Sequence, residues 1–292
     1  MALTLKPLHP LFAAEASGVD MRRPLDDATI AAIDAAMDRY ALLVFRDQPM
    51  TEEEQVACAR QFGPLDSGLR KATGAPTRFR HEELIDISNL ALDGEVAERG
   101  NAKLVGTLAN QLWHSDSSFQ NLPIKYSMLS AVHVVEKGGE TEWADLRAAW
   151  DALPEDLKRE VEGRTAEHST FHSRLLLGDD KYTAEQLNRF PPVEWPLKRT
   201  HPGSGRDLLF VGVHCRSVSG MTVPEGRVLI ADLIEHATQR QFVYRHHWRN
   251  GDYVMWDNRA TLHRGRRYDL SARRDLRRTT TLERSATQAL AA

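Results

Sequence analysis

Residues 242–257 read Phe242-Val-Tyr-Arg-His246-His247-Trp248-Arg-Asn250-Gly251-Asp-Tyr253-Val-Met-Trp256-Asp257. The β-branched and aromatic residues on either side of Asn250-Gly251 predict two short strands, Phe242 to Trp248 and Tyr253 to Asp257. Asn-Gly tolerates the positive φ angles of a tight turn, so the pair reads as a hairpin. His246 and His247 are adjacent. A strand aims them at opposite faces, which argues against their acting as two ligands of one metal.

The same signals recur outward from this stretch. Downstream, Asp275 to Leu282 is a strand rich in Thr. Upstream, Pro224 to Thr238 is an amphipathic helix with Val228, Leu229, Leu233 and His236 inward. Thr200 to Arg206 is a turn between strands Trp195 to Thr200 and Leu208 to Val213. Arg147 to Glu162 is helical, broken at Pro154. Lys125 to Val135 and Thr141 to Asp145 are strands flanking the tight turn Lys137-Gly138-Gly139-Glu140. Residues 65–110 are the least regular. They hold one strand-like piece, Leu84 to Asn89, and otherwise read as loop; a long loop in a compact domain suits an active-site lid. Near the start, Asp26-Asp27 cap a helix carrying Ile30, Ile33, Met37 and Tyr40. Ala41 to Phe45 is a buried strand. Thr51 and Glu54 form a capping box for a helix that stops at Gly63-Pro64. About ten short strands with late turns predict a mainly β protein, an antiparallel sandwich or barrel with flanking α-helices outside it. No linker is visible, so residues 1–292 read as one domain.

Composition narrows the function. Of 292 residues, 41% are hydrophobic and 27% charged, which is globular. The net charge of −3 gives no reason to expect a nucleic-acid or membrane partner. The longest apolar run, Tyr40 to Phe45, is strand-sized. Cys58 and Cys215 are far apart and read as thiols in a reducing cytoplasm, where the chain is expected to reside.

The chemistry sits in Asn110-Gln-Leu-Trp113-His114-Ser115-Asp116-Ser-Ser-Phe119. In extended chain, residues two apart share a face, so His114 and Asp116 can reach one metal ion together. A third ligand is His263, in Trp256-Asp-Asn258-Arg-Ala-Thr-Leu-His263. Two His and one carboxylate form the facial triad of non-haem Fe(II) oxygenases. The same ligands could hold Zn(II) for hydrolysis, or a structural metal in a binding module. Trp113 and Trp256 read as packing around the site, Asn258 as holding the turn before His263, and His201 as structural. Lys71, in the lid, could attract a carboxylate.

The set Trp113-His114-x-Asp116, Gly138-Gly139-x-Thr141, Trp256-Asp257-Asn258 with His263, and Arg274 resembles the taurine dioxygenase family over about residues 5–283. Pro7 to Ala13, Asn110 to Phe119, Arg147 to Pro154, His236 to His246 and Trp256 to Arg274 are most similar to its herbicide-degrading subgroup. The resemblance implies a double-stranded β-helix (jelly-roll) core. It also implies Fe(II) as cofactor, with 2-oxoglutarate and O₂ as co-substrates. It gives Arg274 a bidentate pairing with the distal carboxylate of 2-oxoglutarate, helped by Thr141. Arg278, four residues on and on the same face if the chain is extended, is left for the substrate carboxylate. Asn110 and His214 join the substrate pocket. The expected reaction is hydroxylation of an aryloxyalkanoate, a small carboxylate; a sulfonate or sulfate ester such as taurine is the alternative. A hydrolase or binder would not need the second carboxylate clamp at Arg274 and Thr141. Homo-oligomerisation is left open.

Overall fold

The computed structural model describes residues 2–66, 76–122 and 124–283. Two sheets face each other. The seven-stranded main sheet runs in the order Thr4–Pro7, Ala14–Ser17, Leu42–Phe45, Tyr253–Asp257, Ile124–His133, Asp275–Leu282, Ile85–Asp86. The three-stranded minor sheet runs Val243–His246, Thr141–Asp145, Thr261–Gly265. All neighbours in both are antiparallel except Ala14–Ser17 with Leu42–Phe45.

Strand alternation builds two cores from one main sheet. Leu42, Val44, Leu129, Ala131, Val254 and Trp256 point inward and meet Trp143 of the minor sheet. Leu43, Phe45, Tyr126, Met128, Tyr253 and Met255 point outward, onto Ile33 and Met37 of helix Asp27–Tyr40. Burial on both faces explains why Leu42–Phe45 reads as an unbroken apolar run. Ala144 and Leu262 of the minor sheet pack outward against Leu229, Ile230 and Leu233 of helix Val223–Ala237. The caps are as read: Thr29 N–H donates to Asp26 at 2.7 Å, and Thr51 and Glu54 bond reciprocally.

The structure revises several local readings. The turn at Asn250-Gly251 forms, with Asp252 N–H donating to the Arg249 carbonyl at 3.0 Å and Gly251 at φ +83°. Its arms do not pair as a hairpin. Val243–His246 joins the minor sheet and Tyr253–Asp257 the main sheet, so the turn carries the chain between sheets. Asp252 fixes this crossing: it accepts from His246 Nε2 at 2.9 Å and Arg249 N–H at 2.8 Å and pairs with Arg46 at 2.6 Å. His246 is buried and His247 exposed, as alternation requires. Val228 is 62% exposed; the buried stripe is Gly226, Leu229, Ile230, Leu233 and Ala237. The described part of residues 65–110 is less loop-like than expected. Asn101 caps a helix, Ala102–Thr107, and a 3₁₀ turn, Leu108–Gln111, follows. One turn of each is too short for periodicity to show. Among the described residues, no helix is long and apolar enough to cross a membrane.

Candidate metal centre and its chambers

Main-chain hydrogen bonds bring the triad together. His114 N–H donates to the His263 carbonyl at 3.0 Å, and His263 N–H donates back at 2.8 Å. His263 is on strand Thr261–Gly265; His114 forms only an isolated bridge, and Asp116 opens a turn in which Ser117 takes φ +52°. The extended-chain premise therefore holds for one residue, but the side chains still converge. Asp116 Oδ1 lies 4.0 Å from His114 Nε2, and Oδ2 lies 3.7 Å from His263 Nε2. Atoms so spaced can both sit about 2.1 Å from one ion. All three residues are buried.

Protonation suits a cation. The His114 Nδ1–H donates to the Leu112 carbonyl at 2.8 Å, leaving the Nε2 lone pair for a metal. Burial pushes the His114 and His263 pKa values down, so both rings are neutral. His263 Nδ1 is buried without a hydrogen-bond partner among the described residues, so its tautomer is not fixed by a hydrogen bond as that of His114 is. Burial works to raise the Asp116 pKa, but the Arg278 guanidinium beside it and the Ser127 hydrogen bond oppose this, and the carboxyl stays well below its usual range. Ser127 Oγ donates to Asp116 Oδ2 at 2.8 Å, and Asn258 Nδ2 donates to Ser127 Oγ at 2.8 Å. Asn258 Oδ1 accepts from Trp256 Nε1 at 3.1 Å and Asp116 N–H at 3.3 Å. Asn258 thus positions a ligand as well as its own turn. Ser127 went unnoticed in the sequence, although it shares the inward parity of Leu129 and Ala131. Trp256 packs on His263, with ring centroids 5.0 Å apart.

One side of the triad opens on a cavity of about 100 Å³ lined by His114, His263, Trp256, Thr141, Arg274 and Arg278. Arg274 lies just before strand Asp275–Leu282. Its guanidinium donates to the Gly139 carbonyl at 3.1 Å and the Ile87 carbonyl at 3.3 Å. Among the described residues it meets no carboxylate, and burial drives its pKa down. A buried, uncompensated cation is costly unless an anion joins it. Gly139, at φ +67°, makes room: a Cβ there would lie 3.2 Å from Arg274 Nε. Thr141 Oγ1 accepts from Trp248 Nε1 at 3.0 Å, which leaves its own proton to donate. The donors fit a dicarboxylate chelating the metal.

The other side opens on a chamber of about 520 Å³ lined by His114, Asp116, Asn110, Arg278, His214 and aromatic side chains. Arg278 Nη1 pairs with Asp116 Oδ1. His214 stands edge-on to Phe119, 4.9 Å between centroids, and to His114 at 6.0 Å. Burial keeps it neutral, and its Nδ1 has no partner among the described residues. Phe171, Tyr182 and Phe190 pack together in the same wall, a cluster missed in the sequence because residues 163–200 show no clean period. His201 is structural: its Nε2 lies 3.0 Å from the buried Asp257. Lys71 lies outside the described residues.

A facial triad between a cationic pocket and an apolar chamber defines the class, a non-haem Fe(II) oxygenase with a dicarboxylate co-substrate. The family described as taurine catabolism dioxygenase TauD, TfdA family matches residues 4–280. The chain is 57% identical over 283 residues to the alpha-ketoglutarate-dependent 2,4-dichlorophenoxyacetate dioxygenase of Cupriavidus pinatubonensis, covering 97% of this chain and 99% of that protein. It is 38% identical to the (S)-phenoxypropionate/alpha-ketoglutarate-dioxygenase of Sphingobium herbicidovorans, covering 94% and 92%. The crystal structure of AAD-2 in complex with Mn(II) and N-oxalylglycine superposes with a TM-score of 0.92 at 45% identity, covering 97% and 98%. The chain belongs to the TauD, TfdA family. It is a strand-rich 2-oxoglutarate-dependent dioxygenase that uses Fe(II), 2-oxoglutarate and O₂.

Proposed function

We propose that this enzyme hydroxylates an aryloxyalkanoate of the 2,4-dichlorophenoxyacetate kind. The carbon between ether oxygen and carboxylate takes the hydroxyl, and the resulting hemiacetal collapses to a phenol and glyoxylate. 2-Oxoglutarate leaves as succinate and CO₂. The bound metal supplies the activation of O₂ that makes an unactivated C–H bond reactive.

The chain's residues position and shield. His114, Asp116 and His263 hold the metal by three sites. Arg274 receives the distal carboxylate of 2-oxoglutarate in a bidentate pairing, and the Thr141 hydroxyl donates to it. In the apolar chamber, Phe119, Phe171, Tyr182 and Phe190 accept the aryl ring. Arg278, Asn110 and His214 face the carboxylate and ether end, with Lys71 a further cation for the approaching acid. The apolar chamber excludes water from the reacting carbon. The facing sheets form a double-stranded β-helix, and the whole chain acts as one domain with residues 65–110 as its lid. The substrate is a small-molecule carboxylate.

The observation that carries this reading is the aromatic chamber reaching both a metal ligand and Arg278. A panel of aryloxyacetates, 2-aryloxypropionates, taurine and alkyl sulfates tests it, with succinate and phenol measured together. Phenol and succinate should appear in equal amounts for aryloxyalkanoates. Faster succinate formation with taurine or an alkyl sulfate than with any aryloxy acid would refute it.

A further inference from the structure

A third cavity, about 1240 Å³, lies outside the Arg274 pocket and shares with it the wall Gln111, Arg266, Tyr268 and Leu270. Arg99, Arg245, Arg264, Arg266 and Arg267 line it, against two lining carboxylates, Glu140 and Asp269. Glu142, buried beneath, accepts from Arg245 Nε at 2.7 Å and Arg264 Nε at 2.8 Å, and lies 3.7 Å from Arg266. One carboxylate thus organises three guanidiniums and neutralises only one charge. Arg99 and Arg267 are exposed and have no carboxylate partner among the described residues. The inner wall is Tyr268, whose ring lies 5.3 Å from the Arg274 guanidinium carbon.

From this charge gradient we propose that the arginine cleft is the docking site through which 2-oxoglutarate, a dianion, reaches Arg274, by a route separate from the aromatic chamber that admits the substrate. The inference rests on the dioxygenase reading. A cleft of one sign raises the local concentration of the opposite ion and speeds association by about 10- to 1000-fold, an effect that salt erases. Arg99 and Arg267 do not line the inner pocket, so they act on capture and not on the bound state.

The test is anaerobic stopped-flow mixing of Fe(II)-loaded protein with 2-oxoglutarate, following the metal–2-oxoglutarate charge-transfer absorbance across ionic strength. The double variant Arg99→Glu/Arg267→Glu should associate about tenfold more slowly at low salt, dissociate at the wild-type rate, and converge with wild type at high salt. Its substrate KM should not change. An association rate within twofold of wild type at low salt would overturn the inference while leaving the dioxygenase reading intact. So would slower association of 2-oxoglutarate in Arg174→Gln, on the aromatic chamber, with Arg99→Glu/Arg267→Glu unaffected. No absorbance band in the wild type at any concentration would overturn both this inference and the reading beneath it.

Discussion

Arg274→Met should separate the cost of the buried cation from its use. The guanidinium is buried, donates only to two backbone carbonyls, and has no carboxylate beside it among the described residues. In the protein without 2-oxoglutarate, that charge is uncompensated, and replacing buried charges with an apolar side chain of similar size is often neutral or stabilising by about 1–4 kcal/mol. The two abandoned carbonyls offset about 1 kcal/mol each. The variant should therefore lie within about 2 kcal/mol of wild type, in either direction, in urea unfolding. In the complex the sign reverses, because losing one partner of a buried charge pair costs about 2–5 kcal/mol. At about 1.4 kcal/mol per tenfold, the Kd of 2-oxoglutarate should rise roughly 30- to 4000-fold. Titrating the Fe(II)–2-oxoglutarate absorbance gives Kd, and urea melts of the metal-free protein give stability. A Kd within threefold of wild type, or a stability loss above about 3 kcal/mol, would show that Arg274 is a structural hydrogen-bond donor and not an anion clamp.

Asp116→Ala should abolish turnover and sharply weaken Fe(II) binding by equilibrium titration while leaving the circular dichroism spectrum unchanged; wild-type turnover at limiting iron would rule out the triad. Arg278→Ala should raise the substrate KM at least tenfold but leave an Fe(II)–2-oxoglutarate complex that still forms, and loss of that complex instead would exchange the roles of the two arginines. His168 is buried against Cys215 and Phe210, and burial, helped by Arg199, lowers its pKa to about 3. A lowered folded pKa means that stability is complete above the unfolded value of 6.5 and declines as pH falls toward 3, by about 2 kcal/mol between pH 7.5 and 5. His168→Gln should flatten that part of the slope in urea melts of the metal-free protein, and an unchanged slope would mean that the ring takes up protons equally in the folded and unfolded chain, its pKa unshifted by burial.

The sequence displays what is local or periodic. The cap at Asp26, the capping box at Thr51 and the buried run Leu42–Phe45 were readable because a few adjacent residues decide them. The triad was readable as a motif, but its assembly is a long-range event: reciprocal main-chain bonds join His114 to His263 across 149 residues of chain, and spacing within either stretch is silent about them. The Asn250-Gly251 turn shows the same boundary. Its chemistry fixed the turn and not the partners of its arms, because each arm satisfied its hydrogen bonds in a different sheet. Parity placed Arg274 and Arg278 on one face, and both do line one cavity. Parity could not say what each would meet there. Arg278 meets the protein's own Asp116, whereas among the described residues Arg274 meets two carbonyls and the Tyr268 ring and no carboxylate. That difference in charge balance, invisible in two arginines four residues apart, separates a guanidinium already paired with a metal-ligand carboxylate from one that has none beside it among the described residues.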